Sequence, residues 1–115
     1  MAIPDEITAL VLRLEQELSE VEQLATEGLN ITQERLERFP NNAVLLQIFA
    51  YFNNYMLLVE NLRRRIQYSR LILAAATATL EQVHEAGEDL SEWLGRVLEA
   101  KIGISRLKNR LENWS

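Results

Sequence analysis

Leu45, Phe52, Val59, Ile66 and Leu73 follow one another at intervals of seven residues. Ile48, Tyr55, Leu62, Ser69 and Ala76 interleave with them. Two apolar positions every seven residues form the seam of a helix that packs lengthwise on other helices. The pattern returns further on. Val83, Leu90, Val97, Ile104 and Leu111 form one series, and Ala86, Trp93, Ala100, Leu107 and Trp114 the other. Such a repeat is incompatible with strands, whose side chains alternate with a period of two.

The first part of the chain carries a helical stripe as well. Ile7, Leu10, Val11, Leu14, Leu18, Val21 and Leu24 step by three and four, which places them on one face. Pro4 suits a first helical position, and Asp5 and Glu6 suit the positive end of the helix dipole. The stripe weakens at Gly28, either a soft point or a place of close approach, and resumes with Ile31 and Leu36. Pro40 disfavours helix at Phe39, and Asn41 or Asn42 can cap the next helix. Thr79 and Gln82 have the spacing of a capping box. The sequence therefore predicts three helices, about 4–38, 42–75 and 79–113, in a single domain. At 1.5 Å per residue each is roughly 50 Å long. A break in the third at Gly87, with Asp89 as a new cap, is the alternative. Short connections make the expected fold an elongated, antiparallel, up-down-up three-helix bundle with coiled-coil-like heptads. The two heptad regions share a period but not residues, so they are not an internal repeat.

Only Gln47, Asn53 and Asn54 are polar between Ala43 and Val59. After Leu45, Ile48, Phe52, Tyr55 and Val59 are assigned to the seam, apolar side chains still cover most of the circumference. From Arg63 onward the flanking positions are basic. A large apolar surface confined to half of one helix marks an interaction site. Two-fold self-association is its simplest use. The expected interface residues are Phe49, Tyr51, Phe52, Tyr55, Met56, Leu57 and Leu58, since aromatic residues and Met concentrate at interface centres. Asn53 and Asn54 either bond across such an interface or form a solvated strip. The competing reading is that the flanking helices cover this face. A membrane span is a third: the stretch is about 17 residues, the short limit for a bilayer, and its two adjacent Asn are costly in lipid.

Charge is unevenly spread. Residues 1–38 carry nine acids and three Arg, residues 39–78 one acid and four Arg, and residues 79–115 seven acids and five bases. An acidic first helix should pair with the basic middle of the second, although exposed pairs contribute only ~0–1 kcal/mol each. Arg63, Arg64 and Arg65 could hold a phosphate, but a solvated, paired face is the simpler reading. A net charge of −5 opposes nucleic-acid binding, which needs a basic face.

Chemistry is sparse. The chain has no Cys, which excludes disulfides, zinc–thiolate sites and thiol nucleophiles. MAIPDEITAL has no basic-then-apolar export signal, so the expected location is cytoplasmic. Glu81 and His84 form a Glu-x-x-His pair, half of the pattern in di-metal carboxylate bundles. Leu80 and Val83 take the seam beside them, which turns the pair outward. There is no phosphate loop, no nucleophile elbow and no second His. No enzyme activity, cofactor or metal is expected.

Two stretches, RFPNNAVLLQIFAYFNNYMLLVENLRRRI and LGRVLEAKIGISRLKNRLENW, resemble small all-helical proteins of filamentous cyanobacteria, some of them linked to regulation of cell differentiation. The resemblance covers about half of the chain and carries no site residues. It implies a regulatory role. Together these readings point to a non-enzymatic regulatory or adaptor bundle that forms a homodimer, with a di-metal enzyme or a peripheral membrane protein as the alternatives.

Overall fold

The computed structural model describes residues 3–114. It contains three helices, α1 (Asp5–Arg38), α2 (Ala43–Ala74) and α3 (Leu80–Glu112), and no strand among the described residues. They pack against one another in a body of 57 × 18 × 16 Å. The sequence-based helix limits lie within one residue of those observed.

Each boundary has a local cause. The Asn42 carboxamide oxygen accepts from the Leu45 amide at 3.0 Å, so Asn42, not Asn41, caps α2. Thr79 and Gln82 form the expected capping box. The Thr79 hydroxyl accepts from the Gln82 amide at 3.1 Å, and the Gln82 side chain accepts from the Thr79 amide at 2.9 Å. These bonds occupy amides that a helix start leaves orphaned. Helix α3 runs through Gly87, Gly95 and Gly103 without a break, so the alternative start at Asp89 is not taken.

The core follows the seams. Leu45, Phe52, Val59, Ile66 and Leu73 are all buried, as are Ile48 and Leu62. Tyr55 and Ser69 are half-buried, while Ala76 lies exposed beyond the end of α2. On α3, both expected series are buried apart from the half-buried ends, Val83 and Trp114. The face of α1 does not weaken at Gly28. It continues through Ala25, Gly28 and Thr32, all buried. Its side chains merely become small. The Phe52 ring lies directly over Gly28, where a Cβ would fall within the ring's own volume. Gly28 is thus a receptacle for the largest fully buried side chain of the core. The buried Thr32 hydroxyl is satisfied by donating to the Gly28 carbonyl at 2.6 Å.

Helix α1 also holds all the cross-helix ion pairs among the described residues. Toward α2, Glu15 meets Arg70 at 3.2 Å and Glu22 meets Arg63. Toward α3, Glu17 and Glu20 share Lys101 at 3.1 and 2.5 Å, and Glu27 meets Lys108 at 2.5 Å. Residue numbers advance by seven on α1 as they fall by seven on α2 or rise by seven on α3. The expected pairing of the acidic first helix with the basic second one is therefore present, and α3 joins it. Hydrogen bonds from Lys101 and Lys108 hold the Glu20 and Glu27 carboxyls below the ordinary value of 4.5. The same bonds raise both lysines above 10.5.

At one end Arg35 ties α1 to α3. Its guanidinium donates to the Leu111 carbonyl and lies over the Trp114 ring, 5.7 Å from the centroid. Trp114 in turn meets Phe39 edge-to-face at 5.5 Å. The Leu111 carbonyl already accepts from the Trp114 amide at 3.1 Å, and the cation adds a second, charged donor at the negative end of α3. Between α2 and α3 no cross-helix side-chain hydrogen bond or ion pair occurs among the described residues. They share the smallest of the three helix interfaces.

Candidate functional site

The uncharged first half of α2 is the strongest candidate. Residues 43–59 contain no Asp, Glu, Lys or Arg. Helix α2 is long and apolar enough to cross a membrane, yet only 22% of its most apolar window is buried inside the bundle. The flanking helices therefore leave part of this surface uncovered.

The structure sorts the seven expected interface residues into three groups. Tyr51 and Leu57 are exposed, at 43% and 55%. Phe49, Tyr55, Met56 and Leu58 are half-buried. Tyr55, Met56 and Leu58 pack against the core with part of their surface outward. Phe52 is a correction. It has no exposed surface because its ring fills the space over Gly28, and it anchors α1 to α2 instead of facing a partner.

Sequence reasoning missed two residues of this surface, Val44 and Leu46, exposed at 39% and 49%. The signal for Leu46 was present. Leu46, Ala50, Asn53 and Leu57 are exposed and spaced by four, three and four, a second seam on the side of α2 away from its own core. Its two large side chains, Leu46 and Leu57, stand at the ends, with the smaller Ala50 and the polar Asn53 between them. Asn53 and Asn54 are both exposed. The Tyr51 hydroxyl accepts from the Gln47 side chain at 3.0 Å, and the ring faces the α2–α3 groove, not this stripe.

The other sequence candidates are dispersed. Glu81 and His84 are exposed, and His84 lies 3.2 Å from Glu88, one turn along the same helix. Among the described residues no group of three or more His, Asp or Glu side chains is placed to hold a metal ion. Arg63 is engaged by Glu22 and by the Ser19 hydroxyl at 3.4 Å. Arg65 donates to Asn61 at 3.2 Å. The Arg63–Arg65 run is thus partly committed to the bundle and does not converge on one point.

The three α3 glycines differ in surroundings. A Cβ at Gly103 would sit 2.5 Å from the Tyr55 hydroxyl, one at Gly87 would sit 3.3 Å from Ile7 Cδ1, and one at Gly95 would meet nothing within 4 Å. Gly103 therefore lets Tyr55 reach across the α2–α3 junction. Beside it lies an open groove of about 320 Å³, with Tyr51 and Tyr55 on one wall and Arg106 and Arg110 on the other.

No protein-family model, curated protein or solved structure matches the chain. Its function has to be argued from its own surface.

Proposed function

We propose that this protein is a non-enzymatic regulatory or adaptor module of the cytoplasm that acts through protein contacts and self-associates through the first half of α2. The observation that carries the reading is the exposed, charge-free stripe of Leu46, Ala50, Asn53 and Leu57. A second copy of the same stripe is its natural complement. Large side chains of one copy meet small ones of the other when two α2 helices pair in opposite directions about the Asn53–Asn54 region. Leu57 then faces Ala50, and Asn53 faces Asn54. The paired amides set the register, as a buried Asn does in coiled coils.

The underlying architecture in this reading is an antiparallel up-down-up bundle with coiled-coil heptads. Its support is the opposite stepping of Glu15–Arg70 and Glu22–Arg63 and the matched stepping of Glu20–Lys101 and Glu27–Lys108. The test is the solution mass by light scattering over a wide concentration range, for the parent and for Leu57→Asp combined with Leu46→Asp. Both side chains are exposed in the single chain, so the variant should fold. A Leu removed from water contributes about 1.5–3 kcal/mol, and a two-fold interface counts it twice. The parent should be dimeric and the folded variant monomeric. An unchanged mass for the folded variant refutes the reading. Flotation of the parent with liposomes, lost in the variant, would assign the face to a membrane surface instead.

A further inference from the structure

We infer that the groove between α2 and α3 is a docking site for an acidic amphipathic helix of another protein, distinct from the outer stripe of α2. Three observations converge. The first is that this junction lacks the polar clasps found on both faces of α1. All cross-helix ion pairs among the described residues start from α1. The second is the shape and chemistry of the groove, which holds about 320 Å³ and is floored by Gly103 and Leu107. Its α2 wall is aromatic and uncharged, and its α3 wall is basic. The third is the state of that basic wall. Arg106 and Arg110 are exposed and take part in no ion pair among the described residues, in a chain whose net charge is −5.

A ligand for such a groove needs an apolar edge for Tyr51, Tyr55 and Leu107 and carboxylates for the two guanidiniums. The two Arg stand four residues apart, about one helical turn or 6 Å along the axis. Carboxylates one turn apart on a helix match that spacing, and guanidinium–carboxylate forks give direction as well as attraction. Helix-in-groove recognition uses such anchors at three- and four-residue spacing. A basic helix would be repelled by the same wall. The α1 helix of a second copy is acidic and amphipathic, but its apolar face is already spent on its own core.

The experiment is a nuclear magnetic resonance titration of the intact protein with two 15-residue amphipathic helical peptides. They share a leucine stripe and carry either Glu or Lys on the flanks. With the Glu peptide, shifts should cluster at the amides of Tyr51, Tyr55, Gly103 and Leu107, and affinity should fall at least tenfold between 50 and 300 mM salt. Arg106→Glu combined with Arg110→Glu should lower affinity at least tenfold. This variant should keep the parent's melting temperature and its solution mass. Equal binding of the Lys peptide, shifts confined to the Leu46–Leu57 stripe, or undiminished binding by the variant would overturn the assignment. So would a parent that binds neither peptide. A variant of reduced solution mass would give the groove to a second copy and overturn it too. Because the outer-stripe dimer is read from mass and the groove from peptide shifts, each can fail without the other.

Discussion

The four glycines allow one substitution to be read in opposite directions. Glycine inside a helix costs about 1 kcal/mol relative to alanine, so Gly→Ala should stabilise wherever the methyl has room. At Gly95 nothing lies within 4 Å of the added carbon, and Gly95→Ala should gain the full ~1 kcal/mol. At Gly28 the carbon falls among Cδ1, Cε1 and Cζ of Phe52. That ring has no exposed surface and cannot swing into solvent, so α1 and α2 must separate. Overpacking of this kind costs about 1–3 kcal/mol. Three ring atoms are involved, which places Gly28 toward the upper end, and subtracting the propensity gain leaves a net loss of about 2 kcal/mol. For a domain of this size about 4 °C of melting temperature accompanies each kcal/mol. Gly28→Ala should therefore melt about 8 °C lower, and Gly95→Ala about 4 °C higher. Thermal denaturation followed by circular dichroism measures both. Phe52→Leu sharpens the test. Alone it should cost about 1–2 kcal/mol through the space it leaves. Combined with Gly28→Ala it should cost less than the two changes summed, by at least about 1 kcal/mol, because the new methyl fills part of that space. If Gly28→Ala stabilises as much as Gly95→Ala does, Phe52 does not lie over Gly28 and the proposed α1–α2 contact is wrong.

The ion pairs predict a broad pH plateau. The lowered Glu20 and Glu27 carboxyls stabilise the fold above their ordinary value of 4.5, and that share is lost as pH falls through their folded values. The raised Lys101 and Lys108 stabilise below 10.5, and their share is lost as pH rises through their folded values. Urea midpoints should hold between roughly pH 5 and 10 and fall on either side. Lys101→Met with Lys108→Met should flatten both limbs, and unchanged limbs would show that these pairs do not carry them. Replacing Arg35 by Met removes a charged hydrogen bond to Leu111 and a contact over Trp114, a loss of about 2 kcal/mol. Hydrogen exchange in the last turn of α3 should speed up, and unchanged protection there would refute the clasp.

Much of the backbone was legible because its signals are local and repeated. Heptad spacing, Asn42 and the Thr79–Gln82 box each act within a turn or two of their own position. Packing signals were less visible. The run of Ala25, Gly28 and Thr32 reads as a fading stripe until Phe52 is placed opposite it, since small residues announce a neighbour only when the neighbour is known. Phe52 illustrates the same limit from the other side. Its place on the seam was evident, but whether an aromatic on an apolar helix is spent inward or offered outward depends on what it faces. The candidate surface is visible in its lack of charge, while Val44 and Leu46 flank the buried Leu45 and show which way they face only in the folded bundle. Arg106 and Arg110 gave no signal at all, being ordinary charges on α3 until Tyr51 and Tyr55 are seen across from them.

The seven-residue stepping of the ion pairs makes α1 a ruler for the other two helices. An apolar seam resists sliding by one repeat only where shapes are matched, as Phe52 is to Gly28; elsewhere one buried side chain substitutes for the next. Charged pairs do resist it, because a slide of seven residues carries at least one end of the ladder past its partners. Glu15 and Glu22 fix the height of α2, and Glu17, Glu20 and Glu27 fix that of α3. The alignment of α2 with α3 follows from these two settings and from the fit of Tyr55 over Gly103. Tyr51 and Tyr55 thus stand opposite Arg106 and Arg110 with the help of charges on a helix that pairs with none of those four. Inserting seven residues into α1 between Glu22 and Glu27 would leave Glu15, Glu17, Glu20 and Glu22 on their partners and pull only Glu27 from Lys108, so Lys101 alone would hold the height of α3.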